Sequence, residues 1–406
     1  MIKRALYINL WKKLSVEKQM VFLSGARQTG KTTLAKEIAK GFANSSYINW
    51  DFPEHKKLIL KSPGFFENIN RKDGSMPLVI LDEIHKYKRW KNYLKGIYDE
   101  YSQDYKFLVS GSGRLDLYQK GGDSLAGRYF QFHLFPFTVA ELGGRNRDFK
   151  GFMKSPLELD TGGSKETREA WNGLLDVGGF PEPFVKGKKD FYTRWIRNYT
   201  AQIVREDIRN MHDVRNVDTI ELLSALLPSK VGSPLSMNNL AEELQVSFGS
   251  IKEWLKLFEV FYLVFRISPW TKKISRAIRK EKKLYIYNYP EIENEGYRFE
   301  NMVGVELARA VQNWNEYGYG RFTLHYIRNR QKEEADFLIA DSNNPVLLIE
   351  TKFSDDMPAK SLVNFQNTLN VPAVQLVNRD NIFKHIKNGK NKILIATAHR
   401  WLSLLP

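Results

Sequence analysis

Gly25-Ala26-Arg27-Gln28-Thr29-Gly30-Lys31-Thr32 has the residue types and spacing of a loop that wraps a triphosphate. Its glycines let backbone N–H groups face inward around the β-phosphate. Lys31 would neutralise the β and γ oxygens of ATP, and the Thr32 hydroxyl would ligate Mg2+. Thr33, where the next helix is expected to begin, is counted with the nucleotide-binding residues. Further along, Leu78-Val79-Ile80-Leu81-Asp82-Glu83 is an apolar run ending in two carboxylates. Asp82 would hold the magnesium shell and Glu83 would polarise the attacking water. Phe107-Leu108-Val109-Ser110 runs into Gly111-Ser112-Gly113, so Ser110 or Ser112 would lie beside the γ-phosphate, unless either is simply part of a serine-rich turn. Arg128 is a candidate to reach a γ-phosphate, in cis or from a neighbouring subunit, with Arg114 a weaker one; an exposed loop arginine is the plain alternative.

A second group of charged residues lies near the C-terminal end. Asp336 begins one apolar run, and Glu350 and Lys352 end the next. Strand alternation puts Glu350 and Lys352 on one face with Thr351 on the other. If the two runs form a hairpin through Asp341-Ser342-Asn343-Asn344-Pro345, Asp336 comes beside Glu350. Two carboxylates and a lysine would then suit a divalent metal, Mg2+ or Mn2+, and water activation against a phosphodiester. An acid–base pair at a strand edge is the plain alternative.

These residues need a scaffold. Short apolar runs alternate with amphipathic segments from 20 to 137, the pattern of a parallel sheet with crossover helices. Strands are expected at 20–23, 47–50, 78–81, 107–110 and 129–134, and a helix at 33–39. A polar stretch with Gly143, Gly144, Gly162 and Gly163 marks a boundary. Helix-compatible spacing follows at 191–210, then two short helices at 237–244 and 250–258. Ser247 or Ser250 caps the second of these, and strand-like runs come next at 261–267: helix, turn, helix, wing. A long helix at 300–312, strands at 322–327, 336–339, 346–352, 373–377 and 392–396, and a helix at 359–369 complete an α/β unit. Domain limits are therefore expected at 1–142, 143–215, 216–284 and 285–406.

The chain of 406 residues carries 62 Lys and Arg against 46 Asp and Glu, a net charge of +16 that favours a polyanionic partner over a neutral small molecule. Much of the excess sits in 266–283, with Arg266, Lys272, Lys273, Arg276, Arg279, Lys280, Lys282 and Lys283 flanking or flanked by Trp270 and Tyr285. Directly after a winged-helix pattern this reads as a contact to the DNA backbone. The second helix offers only Lys252 and Lys256, offset by Glu253 and Glu259, so sequence-tolerant binding is expected. The absence of cysteine excludes disulfides, cysteine nucleophiles and Cys-ligated zinc. Lys12, Lys13, Glu17 and Lys18 interrupt the N-terminal apolar residues, and no apolar stretch is long enough to span a bilayer; the expectation is a cytoplasmic protein without a membrane partner.

The loop GARQTGKT, the strand LVILDEIH, the runs SGSGRLDL and LAGRYF followed by FPFT, and GGFPEPF resemble the prokaryotic AAA-type (AAA_14) P-loop ATPases whose C-terminal region is a DUF4143 domain. The resemblance covers nearly the whole chain. It implies an AAA-like core, a helical lid, a winged helix and a C-terminal domain similar to PD-(D/E)XK nucleases. It also implies that Glu300, ahead of the carboxylate strands, is the acid such folds bring in from their first helix, beside Asp336 and Glu350. The pair Glu334 and Asp336 leaves two candidates for one metal-binding acid.

The first functional expectation is a Mg2+-dependent ATPase coupled to DNA binding, with a nuclease-like effector domain. The alternative is an ATP-controlled assembly switch, self-associating as a homo-oligomer, whose C-terminal domains bind protein and are not catalytic. A P-loop kinase is disfavoured by the Asp82–Glu83 pair.

Overall fold

The computed structural model describes residues 2–113, 115, 125–144, 147–159, 165–209, 216–272 and 281–406. Five N-terminal strands pair in parallel: β1 (Met20–Gly25), β2 (Ser45–Asn49), β3 (Leu78–Asp82), β4 (Lys106–Ser110) and β5 (Tyr129–Leu134), in the order β2-β3-β4-β1-β5. β1 and β3 read as unbroken apolar runs and are buried at every position, as strands in the interior of a parallel sheet must be. β2 and β5 carry polar residues and lie at the edges, where burial is partial. Helices α1 (Ala5–Glu17), α2 (Lys31–Ala39), α3 (Pro53–Lys61) and α4 (Trp90–Tyr101) belong to the same part of the chain. Phe22, Val79, Leu81, Phe107 and Val109 pack with Trp90 and Leu94 in one apolar core. The helix after the phosphate loop begins at Lys31 rather than Thr33, so Lys31 and Thr32 belong to its first turn.

Tertiary contacts divide the chain into two compact units, Met1–Phe135 with Val260–Tyr262, and Pro136–Glu259 with Leu263–Pro406. The second contains α5 (Lys165–Val177), α6 (Lys189–Gln202), α7 (Met237–Glu243), most of α8 (Phe248–Val260), α9 (Glu295–Glu316) and α10 (Lys360–Leu369). Its sheet has eight strands in the order β12-β13-β11-β10-β9-β8-β6-β7. These are β6 (Val264–Pro269), β7 (Lys283–Ile286), β8 (Phe322–Arg328), β9 (Glu334–Asp341), β10 (Asn344–Lys352), β11 (Ala373–Val377), β12 (Phe383–Asn388) and β13 (Asn391–Thr397). The expected hairpin of β9 and β10 forms, with Asn344 opposite Asp341. Ser342 and Asn343 turn the chain with positive φ, a conformation asparagine tolerates. The Ser250 N–H donates to the Ser247 hydroxyl at 3.0 Å, which makes Ser247 the cap of α8, and Ile251, Leu255 and Phe258 are buried along it.

The expected boundary at 284/285 falls inside β7. The strand-like runs expected as a wing at 261–267 give one strand, β6, which pairs antiparallel with β7 and in parallel with β8 at Ser268 and Pro269. The free edge of β8 thereby gains hydrogen-bond partners, and the hairpin becomes the end of the C-terminal sheet. β12 had no apolar run to announce it, because its residues, FKHIKN, are mostly exposed on the outermost strand.

Within this unit Glu306 of α9 is buried and accepts a hydrogen bond from the Val139 N–H at 2.6 Å, at the start of the short helix Val139–Gly143. Burial pushes its pKa up to about 7, against Arg309 and the N–H groups of Val139 and Ala140. A raised carboxyl binds more protons folded than unfolded between its usual 4.5 and about 7. Its contribution to stability is therefore greatest below that window and declines as pH rises through it. Glu306→Gln should flatten the pH dependence of the unfolding free energy there by up to about 1.4 kcal/mol per pH unit. Denaturant titrations of both chains across the window test this; parallel slopes would assign the proton elsewhere.

Candidate functional site

Parallel pairing brings the ends of β1, β4 and β3 to one edge of the N-terminal sheet: Leu23 lies beside Ser110, and Ser110 beside Asp82. Gly25 ends β1 at φ 145°, where a Cβ would stand 2.4 Å from the Leu134 carbonyl oxygen of β5, so only glycine lets the loop leave the sheet here. Gln28 and Gly30 take positive φ, and Gly30 opens α2 without a side-chain cap, leaving the first-turn N–H groups of Lys31, Thr32 and Thr33 suited to an anion. The loop is braced from within. Thr29 donates to the Ala26 carbonyl at 2.8 Å, and the buried Arg4 donates to the carbonyls of Thr29 at 3.1 Å and Phe135 at 2.7 Å. Arg27 stands between Ala26 and Gln28 on the same turn.

Lys31 is buried and its ammonium donates to the carbonyls of Gly25 at 2.9 Å and Ala26 at 2.6 Å. Those oxygens take the place of the phosphate oxygens it would meet. The Thr32 hydroxyl donates to Asp82 Oδ2 at 2.7 Å. Tyr47 donates to the same oxygen at 2.8 Å, and Ser110 donates to Asp82 Oδ1. Burial chiefly raises the Tyr47 pKa, so it stays a donor. A hydroxyl on a helix N-terminus against a buried carboxylate fits a magnesium shell: Thr32 and Asp82 would hold Mg2+ beside the phosphates.

Glu83 follows at φ 56°, a left-handed conformation uncommon for glutamate, with its N–H donating to the Ser110 carbonyl at 2.9 Å. Its carboxylate pairs with Lys86 at 3.0 Å and lies 3.8 Å from His85, so it stays outside the Thr32–Asp82 hydrogen bonds while sharing their strand end. Ser112 contacts His85 at 3.4 Å rather than Asp82. Of the two serine candidates, only Ser110 touches the Asp82 carboxylate.

Arg128 is placed differently. Met20 pairs with Tyr129, so Arg128 stands beside the beginning of β1, whereas the phosphate loop leaves its end. Six residues of strand span roughly 17 Å, more than an arginine side chain reaches, and Arg128 forms a bidentate pair with Asp99 at 2.6 and 3.1 Å. The in-cis half of the expectation for Arg128 is thereby corrected. Arg114 lies outside the described residues.

In the C-terminal unit Asp336 and Glu350 are neighbours: the Asp336 N–H donates to Glu350 Oε2 at 3.3 Å, and Lys352 pairs with Glu350 Oε1 at 2.7 Å. Asp336 Oδ2, however, accepts from the N–H of Thr351 at 2.9 Å and its hydroxyl at 2.6 Å. Glu300 of α9 is buried and accepts from Tyr285 at 2.8 Å and from Lys283 at 3.1 Å. Burial and the neighbouring Asp336 push Glu300 up to about 7 and Glu350 up to about 8.

Lys283 and Tyr285 are the residues sequence reasoning misplaced. Lys283 is 1% exposed and reaches Glu334 at 2.6 Å, Glu300 at 3.1 Å and Asp336 at 3.7 Å. Burial pulls its pKa down, but those three carboxylates outweigh it and leave it above the usual lysine value. Glu300, Asp336 and Glu350 thus do not converge on one empty point, and among the described residues no group of three or more His, Cys, Asp or Glu is arranged to hold a metal. Glu300, Asp336 and Glu350 do not fit the divalent ion expected of them, because the Lys283 ammonium already stands against Glu300 and Asp336, and Lys352 against Glu350. A lysine closing a basic run gave no signal of this; strand alternation with Tyr285, had β7 been recognised, would have put both on one face.

The basic run loses members for the same reason. Lys283 and Tyr285 face inward, and Arg266 is paired with Glu259 at 2.8 Å. Trp270 donates to the Asn343 carbonyl at 3.1 Å. Lys272, Lys252 and Lys256 are exposed and Lys282 is half-buried, while Lys273, Arg276, Arg279 and Lys280 lie outside the described residues.

Residues 17–143 match the AAA domain family AAA_14, residues 168–289 the domain of unknown function DUF8612, and residues 295–395 the domain of unknown function DUF4143. The second of these covers part of the expected lid and all of the segment expected as a winged helix. An uncharacterized protein of Methanocaldococcus jannaschii is 22% identical over 94% of this chain and 86% of its own. Another, of Mycobacterium tuberculosis, is 22% identical over 80% of this chain and 68% of its own. Among solved structures the Walker-type ATPase of Pyrococcus abyssi is similar, at 13% identity and a TM-score of 0.43, over 72% of this chain and 95% of that one. No described helix is long and apolar enough to cross a membrane.

Proposed function

We propose that this chain, which carries an AAA-type ATPase domain ahead of a DUF4143 domain, is a Mg2+-dependent, DNA-binding ATPase of the cytoplasm whose C-terminal unit is the effector. The observation that carries the reading is the Thr32 hydroxyl on the Asp82 carboxylate, at the foot of a buried lysine in a phosphate loop. Lys31 neutralises the β and γ oxygens, Thr32 and Asp82 hold magnesium, Ser110 positions Asp82, and Glu83 orients water once its carboxylate leaves Lys86. Arg128 reaches a phosphate from a neighbouring copy in a homo-oligomer rather than in cis.

DNA binding rests on the net charge of +16 and the remaining basic run. Reversing Lys272, Lys273, Arg276 and Arg279 to glutamate should weaken binding to duplex DNA and lower the slope of log affinity against log salt by about 0.9 for each phosphate no longer neutralised. ATP hydrolysis without DNA should persist. An unchanged salt titration would remove DNA from the reading. The competing assembly switch keeps the ATPase and gives the C-terminal unit a non-catalytic role; the ammonium of Lys283 among its acids favours that part of it. Nucleotide-dependent self-association without DNA affinity would decide for it.

A further inference from the structure

The C-terminal acids occupy the strands and helix that suggested a nuclease-like metal centre, yet every one of them is already engaged. Glu334 Oε1 and Glu300 Oε1 lie 2.6 and 3.1 Å from Lys283 Nζ, and Asp336 Oδ1 lies 3.7 Å from it. The other oxygen of Asp336 is turned to Thr351, and both oxygens of Glu350 are taken, by Lys352 and the Asp336 N–H. Magnesium or manganese would need several of these oxygens about 2.1 Å from a single point. The central point belongs to an ammonium that is itself buried, and two cations cannot share it in a site of low dielectric. Nor can Lys283 simply withdraw: its stem belongs to β7, paired through Ile267 of β6, and its charge has no water to retreat to.

We propose that Lys283 is a built-in replacement for the divalent cation, so that the C-terminal unit is complete without metal, does not hydrolyse phosphodiesters, and acts by binding alone. The ammonium holds α9, β7 and β9 together through Glu300, Glu334 and Asp336, the task a metal would perform in a catalytic relative of this arrangement. This inference concerns the effector and stands apart from the ATPase reading.

The test measures manganese binding to the full nucleotide-free chain by calorimetry and electron paramagnetic resonance, and compares it with Glu350→Ala. Equal stoichiometry in the two chains is expected. One additional manganese bound by the wild type would overturn the proposal, as would manganese-dependent cleavage of single-stranded, duplex or branched DNA that Glu350→Ala abolishes. In thermal melting, neither manganese nor EDTA should move the wild-type transition of this unit. Lys283→Met, which leaves buried acids without their cation, should lower that transition by about 10 °C. Millimolar manganese should restore part of the loss by entering the vacated position. A variant that manganese does not stabilise would also overturn the proposal, since the lysine would then not be standing in for a metal. ATP hydrolysis by the wild type, assayed in the same samples, reports on the N-terminal unit separately, and its absence would count against the ATPase reading alone.

Discussion

Lys31→Ala is expected to weaken ATP binding by at least about 100-fold, the equivalent of roughly 3 kcal/mol from a charge-assisted contact in a shielded loop. The ammonium is buried and directed at the loop's own carbonyls, Gly25 and Ala26, so it is already confined to the space where the β and γ oxygens would arrive. Its stem leaves the first turn of α2, beside the N–H groups that would cradle the same phosphates. Alanine keeps the helix but removes the positive charge, and the remaining N–H dipoles cannot neutralise a triphosphate alone. Titration calorimetry with ATP and magnesium measures the effect, and circular dichroism confirms that the sheet survives. Wild-type affinity in the variant would mean that the triphosphate does not lie in this loop.

Glu83→Gln should separate binding from turnover. Asp82 keeps Thr32, Tyr47 and Ser110 in this variant, so nucleotide and magnesium affinity should change less than about threefold. Hydrolysis should fall by about 100- to 10,000-fold, the range associated with removal of a general base. An amide occupies the same volume and can still meet Lys86 and His85, but it cannot accept a proton from water. The left-handed backbone at Glu83 is preserved, since only the terminal group differs. Single-turnover hydrolysis with saturating ATP isolates the chemical step. Turnover at the wild-type rate would transfer the role to another group, with His85, buried beside it, the next candidate.

The phosphate loop and its companions were legible because they depend on short-range rules. Eight consecutive residues set the loop, and the continuous apolar runs of β1 and β3 could only be buried strands, whose last residues are Gly25 and Asp82. The hairpin of β9 and β10 was legible for a similar reason: period-two alternation and a turn rich in asparagine bring Asp336 beside Glu350 whatever else the chain does.

No local pattern carried the partners chosen from far along the chain. Strand order decides that Ser110 reaches Asp82 while Arg128 starts from the opposite edge of the same sheet, because β5 runs parallel to β1 and begins where β1 begins. Tyr47 meets Asp82, and Arg4 the phosphate loop, only through pairing and packing. The sharpest case is Lys283. In sequence it ends a basic run and reads as one more solvated charge for a polyanion. In the fold it lies on β7, next to a strand that extends the C-terminal sheet, and its side chain is closed in among Glu300, Glu334 and Asp336. Residue type and spacing alone determined which groups the protein possesses for phosphate and metal chemistry. Whether a charge faces solvent, an anion or a buried cluster of acids depends on burial and on long-range pairing, and those were decided by the tertiary structure alone.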